Sequence, residues 1–423
     1  MLPSLLLGAA LSLGQASASP VVQLSFAPIE DSQEETPVVT SPAPASAAPS
    51  APSPPSPAPD RWFLMRSLQG TWEGGALDAE RMSVSGWTEG SFTASSVRDS
   101  NLPMGFNYRA NEFLLQQNWL RLDRAVVTSG TSEPTFGFRS DWILPGSDYR
   151  FTLARGIFND QLTGDNGQPN LYGIDPIQFY GEGYFPTVAR GLDVKVGRIF
   201  CQYGVEANDA PSNALCSHSY TFIYDPFTHT GVMTTLKLTD TWSVQSGMML
   251  GSDIFIDPAD TPTGMGSIKW APPGGRDSIL FSVILGSGRF NQERNFNNPE
   301  IVDLVYTHQV NSRLVYNLES LYGYQTHVTN LGTTDWLGIL NYFTYTITPR
   351  LSSTTRLEFF DDFQGQRTGF AGLYTALTTG MSFRPRKDWI LRPEIRYDYN
   401  EESRPFEDKH GLFTATADVI VRW

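Results

Sequence analysis

The chain has 423 residues, a net charge of −14, 13% aromatic residues and two cysteines. Phosphate backbones need clustered Lys and Arg, so the acidic balance excludes nucleic acid as a partner. Mean hydropathy is negative and no apolar run reaches the roughly 18 residues of a spanning helix, which leaves a soluble protein or a membrane barrel of alternating strands. The charge says little about a pore, because Glu30, Asp31, Glu34, Glu35 and Asp60 all precede the first basic residue, Arg61.

Residues 1–18 read as an export signal. Leu5 to Leu13 form an apolar run and Ala16-Ser17-Ala18 a cleavage site, although no Lys or Arg precedes the run. Residues 19–60 are a linker. From Pro37 to Pro59 the composition is almost wholly Pro, Ala, Ser, Val and Thr, which cannot bury enough apolar surface to fold. Disorder on the periplasmic side is the expectation. Residues 61–81, with Arg61-Trp62-Phe63-Leu64-Met65-Arg66, suggest a short helix at a barrel mouth.

From residue 82 to 423 the pattern becomes a series of alternating segments separated by turn residues. The predicted strands are Met82–Thr93, Asn111–Ala125, Thr135–Leu144, Ile177–Phe185, Leu192–Phe200, Phe227–Leu238, Trp242–Asp253, Thr263–Ala271, Ser278–Ser287, Glu300–Gln309, Leu314–Gln325, Asp335–Ile347, Leu351–Phe360, Phe370–Arg384, Trp389–Asn400 and Gly411–Trp423. That is about sixteen. Alternate connections are short, such as Thr239–Thr241 and Thr348–Arg350. The others are longer, such as Ala94–Ala110, Cys201–Pro226 and Thr326–Thr334. This parity fits a transmembrane antiparallel β-barrel with short periplasmic turns and longer outer loops. A soluble sandwich has no reason to keep it. Tyr149–Ile157 also resembles a strand, but a crossing there would make the total odd. It is therefore placed in a long outer loop, Pro145–Pro176, the candidate constriction of the lumen.

The final strand carries the membrane signal most clearly. Counting back in twos from Trp423 gives Val421, Val419, Ala417, Ala415 and Phe413, an apolar face ending on an aromatic. An unpaired apolar edge invites aggregation in a soluble sheet, whereas a closed barrel pairs its last strand with its first. On the preceding segment, Trp389, Leu391, Ile395, Tyr397 and Tyr399 oppose Arg392, Glu394, Arg396 and Asp398. Arg139 and Asp141, Asp193 and Lys195, Glu319, and Arg356 with Glu358 alternate in the same way with apolar neighbours. These eleven residues are the candidate pore lining, with charges of both signs suited to orienting polar solutes. Around sixteen strands leave an aqueous channel, so the strand count implies passive diffusion of small hydrophilic solutes and ions. The expected site is the cell outer membrane, with lipid around the barrel. A homo-oligomer such as a trimer suits that size, but no interface is legible.

Cys201 and Cys216 share one predicted loop, which makes them a disulfide candidate in an oxidising compartment; two unrelated thiols is the other reading.

Ser217-His218-Ser219-Tyr220-Thr221-Phe222 and Pro226 to Val232, with Asp193 to Arg198, Tyr203 to Glu206 and Asp175 to Tyr180, resemble the OmpL-like β-barrel porin family of planctomycete type. The resemblance spans roughly residues 82–423 and implies an outer-membrane porin. It carries over no catalytic residues.

Rival chemistry is thin. His218 and His229 are eleven apart, which is no metal-ligand spacing, and no phosphate loop is present. Neither metal nor cofactor is expected. A barrel hydrolase would need a positioned Ser–His pair, and Ser217, His218 and Ser219 are merely adjacent on an extended chain. No enzyme activity is expected. A structural or adhesive barrel tethered by the proline-rich segment is the other alternative.

Overall fold

A computed structural model describes residues 61–164, 167–256, 262–286 and 299–423. The expected export signal and linker lie outside these residues. Two helices lead in, α1 (Phe63–Ser67) and α2 (Trp72–Ala79), the second capped by the Thr71 hydroxyl, which accepts from Gly74 N. The strands follow as β1 (Met82–Ser95), β2 (Glu112–Arg124), β3 (Thr135–Gly146), β4 (Gly173–Phe185), β5 (Leu192–Phe200), β6 (Thr228–Lys237), β7 (Trp242–Ser252), β8 (Thr263–Trp270), β9 (Asp277–Leu285), β10 (Glu300–Gln309), β11 (Leu314–Val328), β12 (Gly332–Thr348), β13 (Leu351–Asp362), β14 (Gly372–Arg386), β15 (Trp389–Asn400) and β16 (Gly411–Arg422). Each pairs antiparallel with its neighbour in sequence, and β1 pairs with β16, so the sheet closes into a sixteen-stranded barrel.

The closure explains the terminal aromatic. Trp423 exchanges two backbone hydrogen bonds of 2.9 Å with Gly86. Its ring lies over that glycine, where a Cβ would meet the ring at 2.5 Å. A side chain at Gly86 would push the last residue off the first strand.

Burial is inverted relative to a soluble sheet. On β15, Ile395 and Tyr397 are 50% exposed, while Arg396 and Asp398 on the opposite face are 1% and 0% exposed. On β16, Phe413 and Val419 are exposed while Thr416 and Asp418 are buried. Apolar side chains in water with charges inside would be costly, whereas lipid outside reverses the sign.

Two connections depart from the expected parity. Thr326–Thr334 is expected to be a longer outer loop, but β11 and β12 extend into it and leave a tight turn at 329–331, with Asn330 at φ 66° and Gly332 at φ 81°. Asn and Gly tolerate that conformation, so the hairpin tightens. Conversely, the β2–β3 connection on the periplasmic side spans residues 125–134. Tyr149–Thr152 is a short helix, α3, rather than a strand.

Candidate channel constriction

The connection from β5 to β6, residues 201–227, does not stay outside the barrel. Its ends meet where Cys201 N donates to Phe227 O at 3.2 Å, and the chain between them is largely buried. Loops normally lie on the surface because an interior loop must find partners for its peptide groups. Here the wall supplies them. Carboxylates accept from loop N–H groups: Glu319 on β11 from Val205 at 2.8 Å, Glu394 on β15 from Cys216 at 2.8 Å and Ser217 at 3.1 Å, and Glu358 on β13 from Tyr220 at 2.9 Å and Thr221 at 2.7 Å. Guanidiniums donate to loop carbonyls: Arg356 to Ser217 at 2.6 Å, Arg396 to His218 at 2.5 Å, and Arg392 to Ala210 at 2.8 Å and Asn213 at 3.0 Å. On the β2 wall, Gln117 bonds Asn208 O and Ala210 N.

The alternating Arg and Glu of the inner face are thus the partners that a buried loop requires. A charge-assisted hydrogen bond is roughly twice as strong as a neutral one. Glu206, from the loop itself, completes the stitching. It accepts from Arg356 at 3.0 Å, Tyr342 Oη at 2.7 Å, His218 Nδ1 at 2.7 Å and Ser219 N at 3.0 Å. Burial pushes its carboxyl up, but Arg356 and His218 outweigh that and hold it down at about 2, so it is an anion at neutral pH. Burial lowers the His218 imidazole against the pull of Glu206, leaving a neutral ring that donates Nδ1–H. The Ser217 hydroxyl accepts from Arg356 and the Ser219 hydroxyl from Phe222 N, at the start of a one-turn helix, α4 (Tyr220–Ile223). These groups serve the loop's own structure.

Pro145–Pro176, the expected constriction, also turns inward, but not as far. Asp148 accepts from Gln117 at 3.0 Å, and Arg198 joins the Thr152 carbonyl to Asp175 beneath it. Burial lifts the Asp148 carboxyl to about 7, while hydrogen bonds from Gln117, Gln116 and Ser147 oppose the rise. The segment that crosses to β11–β15 is 201–227, which makes it the candidate constriction. Loop length alone points to 145–176, whereas the crossing is decided by which loop meets the wall's charges.

Of the eleven pore-lining candidates, Glu319, Arg356, Glu358, Arg392, Glu394, Arg396 and Asp398 lie on the inner face but are covered by the loop. Asp141 is buried beneath Arg121 and Gln178. Arg139, Asp193 and Lys195 are half-buried, with Lys195 3.5 Å from Glu182 and over the Tyr180 ring. Most of the mixed charge therefore faces protein rather than water. Sequence reasoning missed Glu206, Gln117, Glu89 and Asp418. One signal was available: residues 201–227 contain no Lys or Arg, unusual for a loop meant to face water. The ligand atoms of Glu89, Cys216 and Asp418 lie within 4.8 Å of one another, but Arg392 already pairs with both carboxylates and supplies the cation.

The expected disulfide is not formed. Cys201 and Cys216 are both free and buried. Cys201 stays at the end of β5, whereas Cys216 is carried across the lumen to Glu394, so a shared loop does not bring them together. Burial raises both thiols well above their usual range. A thiol reagent should tag neither cysteine in the folded barrel and both after denaturation without reductant; mass spectrometry counts the adducts.

The loop is fastened to β11–β15 and β2, which leaves the opposite wall, β6–β9, freer. There a small cavity of about 10 Å³ is lined by Gln202, Tyr203, Met233, Gln245, Met265, Ser267 and Ser282 among others. Ser267 donates to Gln245, which donates to Thr235. This strip is polar and uncharged.

No curated protein matches the chain in sequence. Solved porins share its fold. The anion-selective porin from Comamonas acidovorans is 9% identical with a TM-score of 0.51, covering 81% of this chain and 99% of that one. The outer-membrane channel DcaP of Acinetobacter baumannii is 13% identical with a TM-score of 0.52, covering 81% and 97%. OmpT of Vibrio cholerae in its trimer form is 10% identical with a TM-score of 0.51, covering 81% and 99%. Residues 81–423 match the family described as "Putative beta-barrel porin-2, OmpL-like". With its closed sixteen-stranded barrel and apolar exterior, the chain belongs to this family of OmpL-like porins and is an outer-membrane channel for passive diffusion rather than an enzyme.

Proposed function

We propose that small hydrophilic solutes and ions cross along the β6–β9 wall, past a constriction formed by residues 201–227. The observation that carries this reading is the one-sided fastening of the loop, which meets the neutral Gln245–Ser267 strip through one long hydrogen bond, from Gln245 to Gln202 at 3.4 Å. Neutral hydroxyls and amides replace part of a solute's hydration without holding it, which suits diffusion rather than capture. Lipid surrounds the exposed apolar face, and export relies on a leader at residues 1–18. A homotrimer is the proposed assembly, supported by the trimer form of OmpT.

Purified protein in planar bilayers should give stepwise conductance increments, and Ser267→Trp with Gln245→Trp should shrink them. Complete silence across many insertions would refute the channel reading. Unchanged increments in the Trp variants would refute the route along β6–β9.

A further inference from the structure

Below the loop, at the periplasmic end, two guanidiniums stand without a carboxylate. Arg384 lies near the end of β14 and Arg422 at the end of β16, with β15 between them, so their backbones are about 10 Å apart. Both follow the inward parity: Ser382 precedes Arg384 and Ile420 precedes Arg422 on the buried face, while Phe383 and Val419 are exposed. Each is half-buried, so solutes can reach it.

Five wall arginines higher up have acids: Arg121 has Asp141, Arg198 has Asp175, Arg356 has Glu206, Arg392 has Asp418 and Arg396 has Asp398. Among the described residues, neither Arg384 nor Arg422 has a carboxylate within ion-pair distance. Arg384 donates only to the Pro211 carbonyl, at 3.4 Å. Arg422 lies over the Trp62 ring, 4.3 Å from its centre, with Lys387 Nζ 5.7 Å from the same ring. Of the nearby acids, Asp388 pairs with Arg386 and Asp418 with Arg392, while Asp209 accepts from the Ser212 hydroxyl and its charge is felt by Arg121 and Arg422 without an ion pair to Arg422.

We infer that Arg384 and Arg422, with Trp62 as a platform, form an anion station at the periplasmic mouth that takes small oxyanions, phosphate or carboxylate, in transit. The channel preference it confers rests on the porin reading above. A guanidinium stacked face-on against an aromatic ring keeps its N–H edge free, and that edge matches the two oxygens of a carboxylate or phosphate. Two positive groups sharing one mouth repel each other, and an anion between them relieves the repulsion. The local arrangement, not the summed charge of −14, sets the sign of the field that a solute meets there.

Two measurements on the full barrel test it. Calorimetric titration of the detergent-folded protein with inorganic phosphate should show binding that weakens at least tenfold in R384Q/R422Q and returns only in part in R384K/R422K, which keeps the charge but not the two-nitrogen edge. Reversal potentials in a KCl gradient should show chloride favoured over potassium, with the ratio falling in the Gln pair and in Trp62→Ala. Wild-type protein that conducts but neither binds phosphate nor changes its ion ratio in the Gln pair overturns the station. Phosphate binding lost in the Gln pair, in protein that never conducts, supports the station and overturns the porin reading instead.

Discussion

Replacing Val205 to Tyr224 by a short Gly-Ser linker is expected to raise single-channel conductance several-fold and leave the barrel folded. Sixteen strands enclose more space than their own side chains fill, and in this chain the inward loops occupy much of it. The linker can close because Cys201 and Phe227 already meet backbone to backbone. None of the strand pairings uses the loop, including the closing pair of β1 with β16. The wall charges that lose loop partners would not be stranded in a dry interior, since water would enter the vacated lumen. Arg392 would keep Glu89 and Asp418, and Arg396 would keep Asp398. Planar-bilayer recording gives the conductance, and heat-dependent mobility on electrophoresis reports the intact barrel. A deletion variant that stays folded yet conducts as the parent does would show that residues 201–227 do not limit flow.

The barrel was legible because its signal is local. Alternation along Trp389–Asn400 or Gly411–Trp423 reflects a boundary between lipid and interior that each strand meets separately. The loop was not legible because its position depends on partners up to about 180 residues away, such as Glu394 with Cys216. The same charges are visible in the sequence, where their alternation with apolar residues suggests a wet lumen. An Arg or Glu on an inner face looks identical whether it meets water or a peptide group. Cys201 and Cys216 failed for a related reason, since nearness along the chain says nothing about a segment that crosses a lumen. The tight turn after Val328 is hidden in the sequence because His327 and Asn330 carry no strand signal, although both take the left-handed conformation that turns a hairpin. Trp62 and Arg422, at opposite ends of the barrel sequence, meet only because the sheet closes on itself.

Arg392→Met should be the most damaging single change inside the barrel. Arg392 is buried and holds both Asp418 and Glu89, the latter at 2.9 Å, while also donating to the Ala210 and Asn213 carbonyls. Methionine matches much of its volume, so the loss is electrostatic rather than a cavity. Two carboxylates, each 2% exposed, would face each other with no cation between them, and two loop carbonyls would lose their donor. Breaking a buried ion pair by removing one partner costs about 3–5 kcal/mol, most of it from the charge left behind. The same mechanism dictates the rescue. R392M/E89Q/D418N removes the stranded charges and should recover a large part of the loss, because amides of the same shape can hydrogen-bond to each other. Urea-unfolding midpoints of the detergent-folded proteins measure both steps. Open-channel current noise should rise in Arg392→Met and not in the triple variant if this arginine also keeps the loop still. A triple variant as unstable as the single one would mean that the loop carbonyls, rather than Glu89 and Asp418, are what Arg392 serves.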